Sequence, residues 1–255
     1  MVGRKILLLG GTGDAYDVAE YLLEIPEIDV ITSLAGATKT PRRPVGQFRI
    51  GGFGGAEGLS LYLKQEKIDF IIDATHPFAA QITRNAGVAA RLSEVPIAYL
   101  VRRAWNQEKG DVWHPVPSVE AAVAKLCELS ESKSENVFLS IGRKEIEKFT
   151  ELGSLQFIIR SVDKPSVVDN MSNATWIKGR GPFKYKQEYS LLKKSRIAVL
   201  VAKNSGGISG AMKLRAARSL KLPVILIQRP AAPDGDVFDN WGELIRFATY
   251  KLGLL

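Results

Sequence analysis

The sequence predicts an α/β protein with parallel sheets, and three observations support this fold class. Short apolar runs of strand length alternate with segments of helical periodicity, and glycine-rich turns follow several of the runs. The segment Trp105–Pro117 interrupts the alternation, because it contains two prolines and has no clear period. Apolar strands alternating with helices are typical of a parallel sheet covered on both faces. We therefore expect two Rossmann-like lobes, residues 1–117 and 118–255, with a ligand cleft between them.

The first lobe is predicted to contain both strands and helices in alternation. Its apolar runs predict strands at Lys5–Leu9, Asp29–Leu34, Gln47–Ile50, Asp69–Ala74 and Pro96–Val101. Apolar residues at helical spacing predict helices at Asp14–Glu24, Leu59–Gln65 and Phe78–Leu92. One side of the first helix is expected to face the core, and it carries Ala15, Val18, Ala19, Leu22 and Leu23.

The second lobe resumes the alternation after the interruption. Ser118 is expected to cap a helix over Ser118–Leu129, in which we expect Cys127 to be a packing residue. The later apolar runs predict strands at Asn136–Ile141, Phe157–Arg160, Arg196–Ala202 and Pro223–Ile227. Helical periodicity predicts helices at Ile208–Leu220 and Asn240–Leu252. The two lobes share this architecture without a readable sequence repeat.

Composition excludes several classes of protein. Hydrophobic residues make up 45% and charged residues 24% of the 255 residues, as in ordinary globular proteins. Apolar runs such as Ile197–Ala202 are far shorter than the roughly 20 residues that span a bilayer. No signal-peptide pattern follows the N-terminus, so we expect a cytoplasmic location. A single cysteine excludes an internal disulfide. One cysteine and two histidines are too few ligands to indicate a transition-metal site.

The charge balance favours a polyanionic ligand. Lysine and arginine total 35 against 27 acidic residues, which gives a formal net charge of +8. The basic residues form pairs scattered along the chain, which suits a folded anion pocket better than a basic arm. No basic run is interleaved with aromatic residues, so a nucleic-acid partner is not expected, and neither is a membrane. We expect a monomer or a weak homo-oligomer.

A glycine-rich turn follows the first predicted strand and opens a helix. Glycines at Gly10, Gly11 and Gly13, with Thr12 between them, would let a pyrophosphate approach backbone N–H groups at a helix N-terminus. The dinucleotide fingerprint is incomplete, because Tyr16 stands at its last glycine position. Asp14 is expected to cap the helix or to accept a hydrogen bond from ribose or carboxamide. The alternative is a tight strand–helix turn without a ligand.

The end of the second predicted strand favours NADPH, with NADH as the alternative. NAD enzymes place an acidic residue there to bind the ribose 2′-OH, and no carboxylate is present in this sequence. Hydroxyl groups and cations suit a 2′-phosphate, although a solvated basic loop is the other interpretation. The residues assigned to the cofactor here are Ser33, Ala35, Gly36, Lys39, Arg42 and Arg43. We also assign to the cofactor three residues after the third strand, Gly52, Phe53 and Gly54.

Polar residues follow the buried strand Asp69–Ala74. Ligands bind at the carboxyl ends of the strands in an open parallel sheet, so Asp73 and His76 are candidate catalytic residues, with Thr75 at the cofactor. His76 could donate or relay a proton, because histidine titrates near neutrality. A structural hydrogen bond is the other role open to His76. Thr75 is expected to cap the next helix, with Pro77 in its first turn.

The second lobe carries cations and glycines after its strands. Lys203, Asn204, Ser205, Gly206 and Gly207 follow the strand Arg196–Ala202 and precede a helix. Arg143 follows another strand, and Arg180 lies in a glycine-rich segment. We assign these seven residues to an anionic substrate. Surface ion pairs are the alternative role for each cation.

Taken together, these motifs resemble the precorrin-6A reductase family of the cobalamin (corrin ring) pathway. The matching segments run in order along nearly the whole chain: Leu9–Thr12, Ser33–Gly36, Arg49–Gly55, Asp73–Ala79, Arg180–Phe183, Lys203–Gly207 and Arg229-Pro230. Two departures occur. Ala37 stands where the family usually has an arginine suited to a 2′-phosphate, and Arg103 stands where it usually has a proline.

The resemblance implies a two-lobed oxidoreductase with a dinucleotide-binding first lobe and a substrate-binding second lobe. It would use NADPH or NADH to reduce one double bond of precorrin-6A, or of its cobalt-containing analogue, to give precorrin-6B. A tetrapyrrole with many carboxylates agrees with the net charge of +8. Two other functions stay open from the residues alone. One is an NAD(P)-dependent reductase of another small anionic substrate, and the other is a non-catalytic dinucleotide-sensing module.

Overall fold

The chain divides into two compact units. The structure, a computed structural model, describes residues 3–36, 38, 41–130 and 135–255, and of Ser209 only the backbone. One unit comprises Met1–Arg102 with Pro230–Leu255, and the other comprises Arg103–Arg229. These bounds differ from the division at residue 117 expected from the sequence. The strand Val112–Val116 pairs within the second unit, and the strand Asp236–Phe238 pairs within the first.

Strands and helices alternate along most of the described chain. The strands are β1 (Arg4–Leu9), β2 (Ile28–Leu34), β3 (Gln47–Ile50), β4 (Phe70–Asp73), β5 (Ile97–Leu100), β6 (Val112–Val116), β7 (Asn136–Ser140), β8 (Gln156–Ser161), β9 (Ala174–Lys178), β10 (Ile197–Lys203), β11 (Pro223–Ile227) and β12 (Asp236–Phe238). The helices are α1 (Gly13–Leu22), α2 (Gly55–Gln65), α3 (Ala80–Ser93), α4 (Val119–Leu129), α5 (Tyr185–Lys194), α6 (Ile208–Ser219) and α7 (Trp241–Lys251). Two 3₁₀ helices span Arg143–Phe149 and Ser166–Asn170.

The first unit contains a parallel sheet in the order β12-β5-β4-β1-β2-β3. Read from β3, the order is 3-2-1-4-5 with β12 as a sixth strand, which is the strand order of dinucleotide-binding Rossmann sheets. The order of strand addition reverses between β1 and β4: β2 and β3 are added on one side of β1, and β4 and β5 on the other. The turns after these two strands therefore lie at the point where such sheets bind ligands.

The core of the first unit has two layers, one on each face of its sheet. Alternate residues of a strand point to opposite faces. Ile6 and Leu8 of β1 pack with α1 and α7, whereas Leu7 and Leu9 pack with α2 and α3. Leu23 was expected on the core side of α1, but it lies beyond the end of the helix and is exposed.

The second unit repeats this architecture in a sheet of order β6-β11-β10-β7-β8-β9. All of its strand pairs are parallel. Read from β9, the order matches that of the first sheet, with β7 in the place of β1 and β10 in the place of β4. The added sixth strand precedes the others in the chain here, whereas β12 follows them in the first unit. The turns after β7 and β10 therefore correspond to those after β1 and β4.

One layer of the second unit's core lies under α5 and α6, on one face of the sheet. Buried side chains of β7 and β10, including Phe138 and Leu200, pack there against Leu192 and Leu214. Helix α4 packs on the other side, against β6 and β11. In the described part of the chain, no helix is long and apolar enough to cross a membrane.

The strands and helices predicted from the sequence are all present, with ends that differ by a few residues. Ser118 caps α4 as predicted, accepting a hydrogen bond from the Ala121 N–H at 3.2 Å. The prediction that Cys127 packs in the core is wrong, because it lies on the exposed side of α4, whose buried residues are Ala122 and Leu126. Among the described elements, the strands β6, β9 and β12, the helix α5 and the two 3₁₀ helices were not predicted.

Candidate functional site

Strand register aligns several predicted site residues at the carboxyl edge of the first sheet. Leu9 pairs with Ser33 on one side and with Asp73 on the other. Ser33 in turn pairs with Arg49, and Asp73 pairs with Tyr99. Because neighbouring strands are about 4.8 Å apart, Ser33 and Asp73 are about 10 Å apart across β1. The sheet thus brings together residues from four separate motifs.

The turn after β1 is joined to the end of β4 through Thr12. Its hydroxyl accepts from the Ala15 N–H at 3.2 Å, which caps α1, and donates to the Ala74 carbonyl at 2.8 Å. Gly11 has a φ of 107°, in the region that favours glycine, and a Cβ at Gly11 or Gly13 would meet nothing within 4 Å. The turn therefore has open space beside its backbone, as a bound pyrophosphate requires. Gly10 is packed instead, since a Cβ there would lie 3.2 Å from Thr32.

Asp14 has a different partner from the one expected. It does not cap α1, because Thr12 occupies that position with the extended backbone that a cap needs. The Asp14 carboxylate instead forms an ion pair with Arg102, with Oδ2 and Nε 3.1 Å apart. Arg102 follows β5 and was not predicted as a site residue. Its charge offsets that of Asp14 beside the turn proposed to approach a phosphate.

Tyr16, which interrupts the glycine fingerprint, holds the segment that carries Arg42. The Tyr16 hydroxyl donates to the Arg42 carbonyl at 2.7 Å, and the Arg42 guanidinium lies 4.5 Å from the centre of the Tyr16 ring. Arg42 also pairs with Glu20 at 3.4 Å. The Arg43 guanidinium lies 6.0 Å from the Phe48 ring. The predicted cofactor residue Lys39 and the neighbouring Ala37 lie outside the described residues.

Arg49 organises the turn after β3. Its Nη1 donates to the Ser33 hydroxyl and to the Gly51 carbonyl, and its Nη2 donates to the Gly52 carbonyl, each at 2.9 Å. The guanidinium lies 3.9 Å from the centre of the Phe53 ring. These contacts link the predicted cofactor residues of β2 to those of the third glycine-rich turn. Ala35 and Gly36 directly follow β2, and Gly54 precedes α2.

Gly58 is a further requirement of this turn that the sequence analysis missed. A Cβ at Gly58 would lie 1.9 Å from the Phe53 carbonyl oxygen, so the turn can pack against α2 only with glycine at this position. The available signal was the spacing of Gly54 and Gly58, since three residues separate a glycine before the helix from one inside it.

Asp73 is a buried carboxyl at the end of β4. Its Oδ1 accepts from the Thr75 N–H at 3.0 Å and from the Thr75 hydroxyl at 2.7 Å. Its Oδ2 is buried without a hydrogen bond in the described structure. Burial raises the pKa of Asp73, and the hydrogen bonds from Thr75, together with the nearby Thr83 hydroxyl, oppose this rise. Burial and the neighbouring Asp73 carboxylate also raise the pKa of Tyr99.

His76 lies on the exposed side of the same turn. Its Nδ1 accepts from the Phe78 N–H at 3.2 Å, so in the neutral ring the proton is carried by Nε2. Nε2 is therefore the atom able to donate. The prediction that Thr75 caps the next helix is wrong, because the Thr75 hydroxyl is bound to Asp73 and α3 begins only at Ala80. Pro77 accordingly lies before the first turn of α3.

The turn after β10 in the second unit is filled by the chain itself. A Cβ at Gly206, where φ is 68°, would lie 2.1 Å from the Arg103 carbonyl oxygen. The Asn204 side chain accepts from the Trp105 N–H at 2.9 Å and donates to the Trp105 carbonyl at 3.2 Å. The Trp105 indole N–H donates to the Gly207 carbonyl at 2.9 Å. The glycine here accommodates backbone packing, in contrast to the open turn after β1.

Two of the predicted substrate cations, Lys203 and Arg143, are paired with carboxylates of the second unit. The Lys203 Nζ donates to Glu145 at 2.6 Å. Arg143 lies 3.9 Å from the Asp163 carboxylate and begins a 3₁₀ helix. Arg180 is exposed after β9, and Ser205 lies beside Lys203 in the turn after β10. Binding of substrate by these residues stays a prediction, and it would compete with the carboxylates of Glu145 and Asp163.

A buried charged cluster near these turns was missed by sequence reasoning. Arg160 and Glu188 form a paired contact, with distances of 3.0 and 2.7 Å, and their side chains are only 8% and 2% exposed. The Arg160 guanidinium lies 3.7 Å from the centre of the Phe183 ring. The Lys213 Nζ donates to the Ser140 hydroxyl at 2.8 Å. Burial lowers the pKa of Lys213 to about 8, and the Glu188 carboxylate opposes this.

Two Rossmann-type sheets with polar groups at their strand ends define an α/β enzyme of the Rossmann class. The chain matches the sequence model of the family described as Precorrin-6x reductase CbiJ/CobK over residues 5–249. The chain belongs to this family and is an oxidoreductase, as the resemblance found in the sequence predicted.

Individual relatives agree with this family. The chain is 44% identical over 229 residues to the precorrin-6A reductase of Rhodococcus erythropolis, covering 90% of each chain. It is 28% identical to the cobalt-precorrin-6A reductase of Priestia megaterium, covering 94% of this chain and 96% of that one. A solved structure of CobK precorrin-6A reductase matches with a TM-score of 0.90 and 37% identity, covering 97% of each chain.

Proposed function

We propose that this enzyme reduces one double bond of the precorrin-6A macrocycle to give precorrin-6B in corrin ring biosynthesis. The observation that carries the proposal is the 44% identity, over 90% of both chains, with a protein named precorrin-6A reductase. Relatives named for the cobalt-containing substrate are 24–28% identical over 88–95% of this chain. We therefore propose the cobalt-free macrocycle as the substrate. The cytoplasmic location and the monomeric or weakly oligomeric state stay predictions.

NADPH is the proposed cofactor, held by the first unit. The glycine turn after β1 fits a pyrophosphate, because Gly11 and Gly13 face open space and Thr12 fixes the N-terminus of α1. Arg102 offsets the charge of Asp14 beside this turn. When bound, the cofactor supplies a hydride from C4 of its nicotinamide ring.

A proton must accompany the hydride, and His76 is the proposed source. Its Nε2 carries the proton in the neutral ring and lies on the exposed side of the turn after β4. Asp73 is the second catalytic candidate, since its burial and raised pKa suit a carboxyl that holds a proton. Thr75 fixes the orientation of the Asp73 carboxyl through two hydrogen bonds.

The second unit is proposed to bind the carboxylates of the macrocycle. Arg143, Arg180 and Lys203 supply the charges: Arg143 follows β7, Arg180 follows β9, and Lys203 is the last residue of β10. Asn204, Ser205, Gly206 and Gly207 would assist by shaping the turn after β10. Glu145 keeps the Lys203 ammonium in place before substrate arrives.

The proposed reaction is tested by anaerobic incubation with precorrin-6A, and in parallel with its cobalt form, while oxidation of NADPH and NADH is followed. We expect cofactor oxidation that depends on precorrin-6A and is faster with NADPH. Absence of oxidation with either macrocycle would overturn the proposed function, and faster turnover of the cobalt form would overturn the choice of substrate.

His76→Asn is expected to lower turnover with little change in cofactor affinity, because the variant removes the proton donor and leaves the glycine turn intact. The pH profile of turnover should lose one limb. Cofactor titration and the pH dependence of turnover measure the two effects. Normal turnover with an unchanged profile would assign His76 a structural role.

Arg180→Ala is expected to weaken substrate binding ten- to a hundredfold while cofactor binding hardly changes. A charge-assisted hydrogen bond is worth about 1.5–3 kcal/mol, and about 1.4 kcal/mol corresponds to a factor of ten. Substrate kinetics beside cofactor titration measure the change. Lys194→Ala is the matched control, because Lys194 is exposed at the opposite end of α5 from the strand-end turns. Loss of cofactor affinity with unchanged substrate affinity would reverse the assignment of the two units.

A further inference from the structure

We propose that Arg49 binds the 2′-phosphate of NADPH, with Ser33 as its partner at the end of β2. This inference rests on the proposed use of NADPH and names the residue that would select it over NADH. In dinucleotide-binding sheets, the residue at the end of the second strand contacts the adenosine ribose, and a nearby arginine accommodates a 2′-phosphate. Ser33 lies at this position, and β3 places Arg49 beside it in register.

The Arg49 guanidinium is held rigidly in this place. Three of its five N–H groups donate, to the Ser33 hydroxyl and to the Gly51 and Gly52 carbonyls. The Phe53 ring lies against its planar face, with 3.9 Å between the guanidinium carbon and the ring centre. Two N–H groups are left for the oxygens of a ligand. A fixed arginine loses little conformational freedom when it binds a phosphate in this way.

The charge of Arg49 is not compensated by the described part of the chain. All of its hydrogen bonds go to a hydroxyl or to carbonyl groups, and it takes part in none of the ion pairs between described residues. Arg42 and Arg102, by contrast, are paired with Glu20 and Asp14. A half-buried cation that contacts only neutral groups favours an anionic ligand.

The space beside Arg49 is open. A Cβ built on Gly51, Gly52 or Gly54 would meet nothing within 4 Å, although Arg49 binds two of these residues through their carbonyls. The turn that Arg49 holds therefore has open space beside three of its glycines, close to a fixed positive charge.

The test is a titration of NADP⁺ and NAD⁺ into the purified full-length protein and its variants, with binding as the readout. Arg49→Met removes the charge, and we expect NADP⁺ affinity to fall at least tenfold while NAD⁺ affinity changes less than threefold. Because Arg49→Met also removes support from the Gly51–Gly52 turn, Ser33→Asp provides a second variant. It keeps Arg49 and places a carboxylate where the 2′-phosphate would lie, so NADP⁺ should again weaken at least tenfold and NAD⁺ should not.

Arg4→Met is the matched control, because Arg4 lies at the other end of β1, paired with Asp69, and neither cofactor should be affected. Equal losses for NADP⁺ and NAD⁺ in Ser33→Asp, or unchanged NADP⁺ affinity in Arg49→Met, would overturn the role of Arg49. If the parent protein binds neither cofactor, the proposed use of a nicotinamide cofactor fails instead. The two failures are thus told apart by the parent protein alone.

Discussion

Glu188→Ala is expected to lower the free energy of unfolding by about 3–5 kcal/mol, the cost of removing one partner of a buried ion pair. The Arg160 guanidinium is 8% exposed and lies near the Phe138 and Phe183 rings, so water cannot replace the lost carboxylate. Lys213 is a second, partly buried cation influenced by Glu188. Removal of the Glu188 carboxylate would leave two positive charges without their negative partner. We therefore expect a loss of stability at the upper end of the range seen for single substitutions.

Denaturant unfolding at neutral pH, followed by circular dichroism, measures this loss. Glu128→Ala is the matched control, because it removes one partner of an exposed ion pair on α4, and we expect a change within about 0.5 kcal/mol. Glu188→Gln keeps the shape and one acceptor, so its stability should lie between those of the parent and Glu188→Ala. A loss below about 1 kcal/mol for Glu188→Ala would contradict the importance of the buried pair.

Lys213→Met is expected to raise stability at neutral pH, with a gain that shrinks as the pH rises. The pKa of Lys213 is about 8 in the folded protein, compared with 10.5 for an ordinary lysine. Between these values the unfolded chain binds more protons, so the parent becomes more stable as the pH rises through this window. Below about pH 8 the parent carries the full penalty of the buried charge, about 3 kcal/mol, and above about pH 10.5 it carries none.

The measurement is the difference in unfolding free energy between Lys213→Met and the parent at two pH values. We expect this difference to decrease by about 2 kcal/mol between about pH 7 and about pH 9.5. Other titrating groups are common to both proteins and cancel in the difference. Lys194→Met removes an exposed lysine from α5, and its difference from the parent should be the same at both pH values. A difference for Lys213→Met that does not vary with pH would contradict a buried, titrating lysine.

The parts of the fold that the sequence did not predict share a position in the sheets. The strands β6, β9 and β12 are all edge strands. An edge strand pairs on one side only, so it is less buried and its apolar pattern is weak. Edge strands also tolerate proline, which explains why Pro115 is found within β6 although the proline-containing segment was expected to be irregular.

Helix α5 was missed for a related reason. Its buried residues are Glu188 and Leu192, so one of the two inward positions carries a charge. A pattern analysis reads a glutamate as solvent-facing, because a carboxylate is costly to bury unless it is paired. The pairing with Arg160, 28 residues earlier, reverses that expectation and is visible only in the folded structure.

Several site residues were predictable because their signals are local. Glycines and polar groups that follow apolar strands indicate the ligand-binding edge of a parallel sheet wherever they occur. This reasoning singled out Thr12, Ser33, Asp73 and His76, and the register of the first sheet places Ser33 and Asp73 on either side of Leu9. The same rule did not show that the Arg103 backbone fills the space at Gly206 in the turn after β10, because Arg103 is about 100 residues away in the chain. Substrate binding by this turn stays a prediction.

The sequence by itself determined the alternation of strands and helices, the parallel sheets, the family and the strand-end turns, since each depends on residues close together in the chain. Only the tertiary structure decided which charged groups meet. Lys203 is 58 residues from Glu145, and Lys213 is 73 residues from Ser140. Strand order sets these contacts. The contacts decide whether a charged group is paired with an opposite charge, has its pKa shifted by burial, or stays available to a ligand.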